Sequence, residues 1–246
     1  MPTIYLSPST QENNLFVSGG TEEEYMNLIA DALEPWLRAN GIGFDRNTPS
    51  MTAASSIRAS NAGSYALHLA LHSNAAPDGQ YGTIRGTDVY YFPGSAQGAR
   101  AADIIAQNLK AIYPDPNLVR ALPTTLIGEV SKVRAPSVFI EFAYHDNVED
   151  AAWIKNNIPE IARNVALSLT EYFGLPFLTP RPPQNGRVDV NWGYLNIRSR
   201  PDLDAPVLAK AFDGAQLTIW NRWDNWFVVE FDGTFGFASA DYVTLV

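Results

Sequence analysis

The sequence predicts an α/β domain, with helices on both faces of a mixed, mostly parallel sheet, followed by a small all-β barrel. Three observations lead there. Up to about residue 174, short apolar runs alternate with segments of helical period, the pattern of strands joined by crossover helices. The stretch Leu175–Gly186 then holds four prolines in twelve residues, which neither a helix nor a central strand tolerates. Beyond it, short runs rich in Val, Ile, Phe, Trp and Tyr are separated by turn residues, with no helical period. Domains are therefore expected at 1–174 and 187–246, joined by a semi-rigid spacer at 175–186.

Each element has its own reason. Thr3–Ser7 reads as a buried strand. Thr21-Glu-Glu-Glu24 has capping-box spacing, and Tyr25, Leu28, Ile29, Ala32 and Leu33 form an apolar stripe behind it. Pro35 should strain that helix before Gly41 stops it. Ile42–Asp45 follows as a strand, Thr52–Ala62 as a helix of small residues, and Tyr65–His72 as a strand ending in His-Ser-Asn. Thr87–Phe92 is another strand and Ala96–Ile112 a helix. Ser137–Tyr144 is a strand, and Val148–Tyr172 is helical with a break near Pro159. In the second domain, Asp232-Gly233 between two apolar runs signals a hairpin.

Composition narrows the chemistry. The net charge is −9 and no Lys/Arg cluster exists, so a nucleic-acid partner bound through its phosphates is not expected. The apolar runs are too short to span a membrane. With no Cys there are no disulfides, thiol nucleophiles or Cys-ligated zinc. Only His68, His72 and His145 could supply imidazole. The opening Met-Pro-Thr-Ile-Tyr has neither the basic nor the apolar region of a signal peptide.

Ligands of open α/β sheets bind beyond the C-terminal strand ends. Three such ends carry polar groups here: Ser7–Gln11, His72-Ser73-Asn74, and Glu141 followed by His145-Asp146-Asn147. Imidazole and carboxylate converging on one rim would suit a zinc hydrolase, with Glu23 a further acid at the following helix start. His68 shares a face with His72 but lies roughly 13 Å deeper, which fits a hydrogen-bonded core residue. Glu23 is equally explained by helix capping. Glu141 is harder to explain so, because a carboxylate inside an apolar strand is costly unless paired.

These residues resemble the type 3 family of zinc-dependent N-acetylmuramoyl-L-alanine amidases. Glu23 stands four residues before Asn27, and Leu69–Ala75 is similar to the family's S-I-H-x-N-A strand end. Gly86–Tyr91 resembles its G-x-x-x-Y-Y strand and Ala135–Asn147 its P-x-x-L-x-E-x-G-F-x-x-N segment. The resemblance implies zinc held by Glu23 and His72, Glu141 as the catalytic carboxylate, and hydrolysis of the amide between the muramic lactyl group and L-alanine. The family's first ligand, a loop His, is replaced by Thr10 or Gln11 in Ser7–Asn14. His145 is taken as the third ligand, with Gln11 and Asp146 as alternatives. Asn74 is assigned to substrate.

Residues 187–246 resemble bacterial SH3-like domains: Tyr194–Pro201, Ala211–Ala215, Trp226–Val229 and Gly233–Ser239 are similar to their signature segments. Such domains bind peptidoglycan peptides, and Trp192 and Trp223, set in polar turns, are the aromatics expected to be exposed for it. The resemblances together imply a monomeric peptidoglycan hydrolase acting at the cell wall or outside the cell. A lapsed amidase domain that only binds muropeptide is the alternative, and the missing loop His points toward it.

Overall fold

A computed structural model describes residues 1–246. The elements are β1 (Thr3–Pro8), α1 (Glu22–Ala39), β2 (Gly43–Arg46), α2 (Ala53–Ala62), β3 (Leu67–Asn74), β4 (Thr87–Tyr91), α3 (Ala96–Leu109), β5 (Val119–Pro123), α4 (Gly128–Ser131), β6 (Ser137–Tyr144), α5 (Val148–Asn156) and α6 (Ile158–Phe173). They are followed by β7 (Gln184–Val188), β8 (Tyr194–Arg198), β9 (Val207–Phe212), β10 (Gln216–Trp223), β11 (Trp226–Phe231), β12 (Thr234–Ser239) and β13 (Val243–Leu245).

The first sheet is mixed, in the order β2-β1-β3-β6-β4-β5. Strands β1, β3 and β6 run parallel, β4 is antiparallel to β6, and β5 is parallel to β4. In β3 the leucines Leu67, Leu69 and Leu71 alternate with His68, Ala70 and His72, and all six are buried. Both faces of the sheet are therefore covered, one purely apolar and one carrying imidazoles. Local chemistry sets the helix starts: Thr21 Oγ1 accepts from Glu24 N at 3.1 Å, Thr52 and Ser55 form a complete capping box, and Asn147 caps α5. The helical run expected over 148–172 breaks at Asn157, between α5 and α6. Helix α1 continues through Pro35.

The second sheet is antiparallel throughout, in the order β13-β7-β10-β11-β12-β8-β9. Asp232 and Gly233 both have positive φ, 47° and 72°, as a two-residue hairpin requires. Val188, Leu195, Ile197, Leu217, Ile219, Phe227 and Val229 fill its interior. Strand β7 begins at Gln184, inside the segment read as a spacer.

By contacts the chain divides into two compact units, Thr3–Leu33 with Phe44–Tyr172, and Met1–Pro2 with Glu34–Gly43 and Phe173–Val246. The end of α1 thus groups with the C-terminal unit. There, Asn40 exchanges hydrogen bonds with the backbone of Leu178, and Trp36 stacks on Phe177 at 5.2 Å. No helix is long and apolar enough to cross a membrane.

Candidate active site

Strand register brings four charged residues into one row across the sheet. His72 on β3 pairs with Glu141 on β6, Glu141 with Asp88 on β4, and Asp88 with Arg120 on β5. Directly paired residues share a face, so the row lies on the imidazole-bearing side. Arg120 grips Asp88 with two bonds of 2.8 and 2.9 Å, and the His72 ring stacks on Phe139 at 4.1 Å.

His72 is buried between two carboxylates. Its Nδ1 meets Glu22 Oε1 at 2.7 Å and its Nε2 meets Glu129 Oε2 at 3.3 Å. Gln11 Nε2 lies 3.3 Å from Nδ1 and 3.4 Å from Glu22 Oε1, while Asn14 donates to Glu22 Oε2 at 2.6 Å. Glu141 Oε2 is buried with no hydrogen-bond partner.

The titration behaviour follows. Burial alone would lower the His72 pKa, but hydrogen bonds and charge from Glu129 and Glu22 outweigh it and raise it to about 10. Burial pushes both carboxylates up, yet His68 and His72 bring Glu129 down to about 2, and His72, Asn14 and Ser9 leave Glu22 below its ordinary value. Glu141 goes the other way. Burial raises it to about 8, with Glu22 and Asp88 adding to the rise and His72 opposing it.

These shifts set a stability profile for the chelator-treated protein. The contributions of Glu22 and Glu129 are complete above pH 4.5 and lost as pH falls, toward pH 2 for Glu129. That of His72 is complete below pH 6.5 and lost as pH rises through about 10. Ionising Glu141 costs stability progressively from pH 4.5 to about 8. The melting temperature is therefore expected to peak toward the acid end of the 4.5–6.5 window; a flat profile between about pH 3 and pH 9 would contradict this.

Several assigned residues sit elsewhere than expected. Glu22, not Glu23, faces His72. Helix α1 begins at Glu22, and the next residue lies about 100° further round the axis. There the Glu23 carbonyl and carboxylate take the Asn27 amide at 2.8 and 3.5 Å. His145 is not joined to His72; its Nδ1 meets the Ser73 hydroxyl and carbonyl at 3.0 Å each, and its ring lies on Phe16. Asp146 is likewise engaged, accepting from Ala76 N and Gly82 N. Asn74 closes its own turn onto Ala75 N. His68 is a bonded core residue, between Ser60 Oγ at 2.9 Å and Glu129 Oε1 at 3.2 Å. Glu129 was not legible beforehand, because α4 is too short to show a period.

Does this donor set suit a zinc ion? No group of three or more His, Cys, Asp or Glu side chains converges as a ligand set. Yet Glu22 Oε1, His72 Nδ1 and the Gln11 amide form a triangle of 2.7, 3.3 and 3.4 Å. Ligand bonds of about 2.0–2.1 Å in a tetrahedral site place donors roughly 3.3 Å apart. Turning the Gln11 amide would present its oxygen in place of its nitrogen. The unpartnered Glu141 oxygen and the excess of buried carboxylate over positive charge also favour a cation. The residues fit, with an amide oxygen, a weaker donor than imidazole, as the third ligand.

A buried row of imidazole and carboxylates at the strand tips of an α/β sheet is a site of hydrolytic type. Residues 10–171 match the N-acetylmuramoyl-L-alanine amidase family model, and residues 193–244 match that of the bacterial SH3 domain. The chain belongs to the N-acetylmuramoyl-L-alanine amidase family and carries a C-terminal bacterial SH3 domain. Solved structures agree in fold. The amidase AmiC2 of Nostoc punctiforme is 13% identical with a TM-score of 0.61, over 70% of this chain and 97% of that one. The catalytic domain of CwlV from Bacillus (Paenibacillus) polymyxa var. colistinus is 14% identical with a TM-score of 0.61, over 72% and 100%. The catalytic domain of the CD27L endolysin, which targets Clostridia difficile, is 19% identical with a TM-score of 0.58, over 70% and 98%. No curated protein matches the chain in sequence.

Proposed function

We propose that this chain hydrolyses the amide between the lactyl group of N-acetylmuramic acid and L-alanine, at the bacterial cell wall, with Glu141 as general base and a zinc ion held by Glu22, His72 and Gln11. The carrying observation is Glu141 itself: a part-buried carboxyl beside His72, with its buried oxygen free of any partner and its proton affinity raised. When bound, zinc would polarise the scissile carbonyl and acidify a water. The Glu141 carboxylate takes the proton of the attacking water and returns it to the departing L-alanine amine, for which a pKa near neutrality is best matched. Phe139 and Val130, buried on the same face, keep bulk water from the row. Asp88, held in place by Arg120, sets a carboxylate next to Glu141 and so favours its proton-bearing state.

The test is metal analysis of the purified chain together with amine release from peptidoglycan. Stoichiometric zinc, new L-alanine amino termini and no new reducing ends are expected. Wall binding with neither zinc nor amine release would overturn the reading in favour of a lapsed amidase acting as a binder, which the Gln11 substitution of the loop imidazole would then explain.

The SH3 domain is assigned the wall-holding role. Trp192, 87% exposed, lines a groove of about 610 Å³ with Tyr194, Leu203, Trp226 and Tyr242. Trp223, 47% exposed, lies outside that groove. An exposed aromatic anchor typically contributes an order of magnitude in affinity. In the full chain, Trp192→Ala is expected to weaken co-sedimentation with cell walls about tenfold, and Trp223→Ala to leave it nearly unchanged. Equal losses in both variants would exclude the groove. The net charge of −9 disfavours attraction to anionic wall polymers, so this binding should persist in high salt.

A further inference from the structure

Glu129 has no part in the reaction described above, yet both of its oxygens are bonded in the interior. Oε1 accepts from Ser7 Oγ at 2.5 Å and meets His68 Nε2 at 3.2 Å, and Oε2 meets His72 Nε2 at 3.3 Å. His68 is held from behind by Ser60 Oγ at 2.9 Å and stacks on Tyr5 at 5.5 Å. An unbroken chain thus runs Ser60–His68–Glu129–His72–Glu22 across the buried face. Phe139 fixes the plane of the His72 ring but not which edge faces Glu22. A carboxylate on one ring nitrogen fixes the edge, and with it the direction of the other nitrogen.

We infer that Glu129, aimed by Ser7 and His68, is a positioning residue that points His72 Nδ1 at the place shared by Glu22 and Gln11. Its consequence for turnover rests on the amidase reading; its effect on the ring does not. The helix that carries it is one turn long, so Glu129 is located by the bonds to Ser7 and His68 more than by its own backbone.

The experiment compares the full chain with Glu129→Ala, Glu129→Gln and His68→Phe by crystal structure, zinc affinity in chelator competition, and turnover. In Glu129→Ala the His72 ring is expected to turn on Phe139 so that Nδ1 leaves Glu22. Zinc affinity should fall about 10–100-fold, and kcat should fall with KM changed by less than about threefold. Glu129→Gln retains an oxygen that can accept from Nε2, and should recover most of both. His68→Phe keeps the ring volume, so it reads the same chain should Glu129→Ala fail to fold, and its losses should be intermediate. An unmoved ring with unchanged zinc affinity in Glu129→Ala, or in His68→Phe if that variant alone folds, overturns the inference even if the melting temperature drops. If the wild type neither binds zinc nor releases amine, the ring alone decides: a turned ring upholds the positioning role while the amidase reading fails.

Discussion

Glu141→Gln is expected to reduce amine release about a thousandfold, while fold and wall binding stay intact. Glutamine keeps the shape of the side chain on β6 but can neither take nor return a proton. Glu141 Oε2 has no hydrogen-bond partner to lose, so the usual penalty for unpairing a buried group does not arise. Burial raises the Glu141 pKa to about 8, so the amide should even stabilise the protein at alkaline pH. Activity assays and thermal melts across pH check both statements. A loss smaller than about tenfold would remove Glu141 from the role of base.

Asp150→Ala should be strongly destabilising, although the residue touches nothing in the row of charges. Asp150 is fully buried in the first turn of α5. Its two oxygens take Arg85 Nε at 3.2 Å, Gly86 N at 3.0 Å, the Tyr113 hydroxyl at 2.6 Å and Tyr144 N at 3.0 Å. Gly86 leads into β4, which carries Asp88, and Tyr144 ends β6, which carries Glu141. One carboxylate therefore ties the strand that carries the proposed base to its antiparallel neighbour. On its removal Arg85 keeps its ion pair with Glu149, but the Gly86 and Tyr144 amides and the Tyr113 hydroxyl lose their acceptor, at a cost of about 3–5 kcal/mol, or roughly 10 °C in melting temperature for a unit of this size. Asp150→Asn, which keeps one acceptor oxygen, should lose about half as much. Thermal unfolding of the three proteins at one pH measures it; a change within about 1 kcal/mol would refute the assignment.

Much of the architecture was readable because its signals are local and strong. Ser137–Tyr144 is rich in β-branched and aromatic residues and begins just after Pro136, and the observed strand has those same limits. The Asp232-Gly233 turn needs positive φ at both positions, which few residue pairs accept. Strand β5 was missed because Arg120 and Pro123 interrupt its apolar character, which an edge position tolerates. In the site, His72 and Glu141 were legible as polar groups ending apolar runs. The choice between Glu22 and Glu23 was not, since three consecutive glutamates satisfy the same helix-start chemistry and only the angle of α1 against β3 separates them. His145 looked available because it is polar and close in sequence to Glu141. Its engagement with Ser73 depends on how two strand ends meet, which no single segment records.

The alternation in β3 leaves no latitude for slippage during folding. A misalignment by one position against β1 and β6 would thrust three leucines among the carboxylates and bury two imidazoles in hydrocarbon, an error no rotamer change could mend. The chemistry of the molecule therefore doubles as a proofreading device for its central pairing. Chains that lose either histidine should consequently misassemble more often during refolding, before any question of turnover arises.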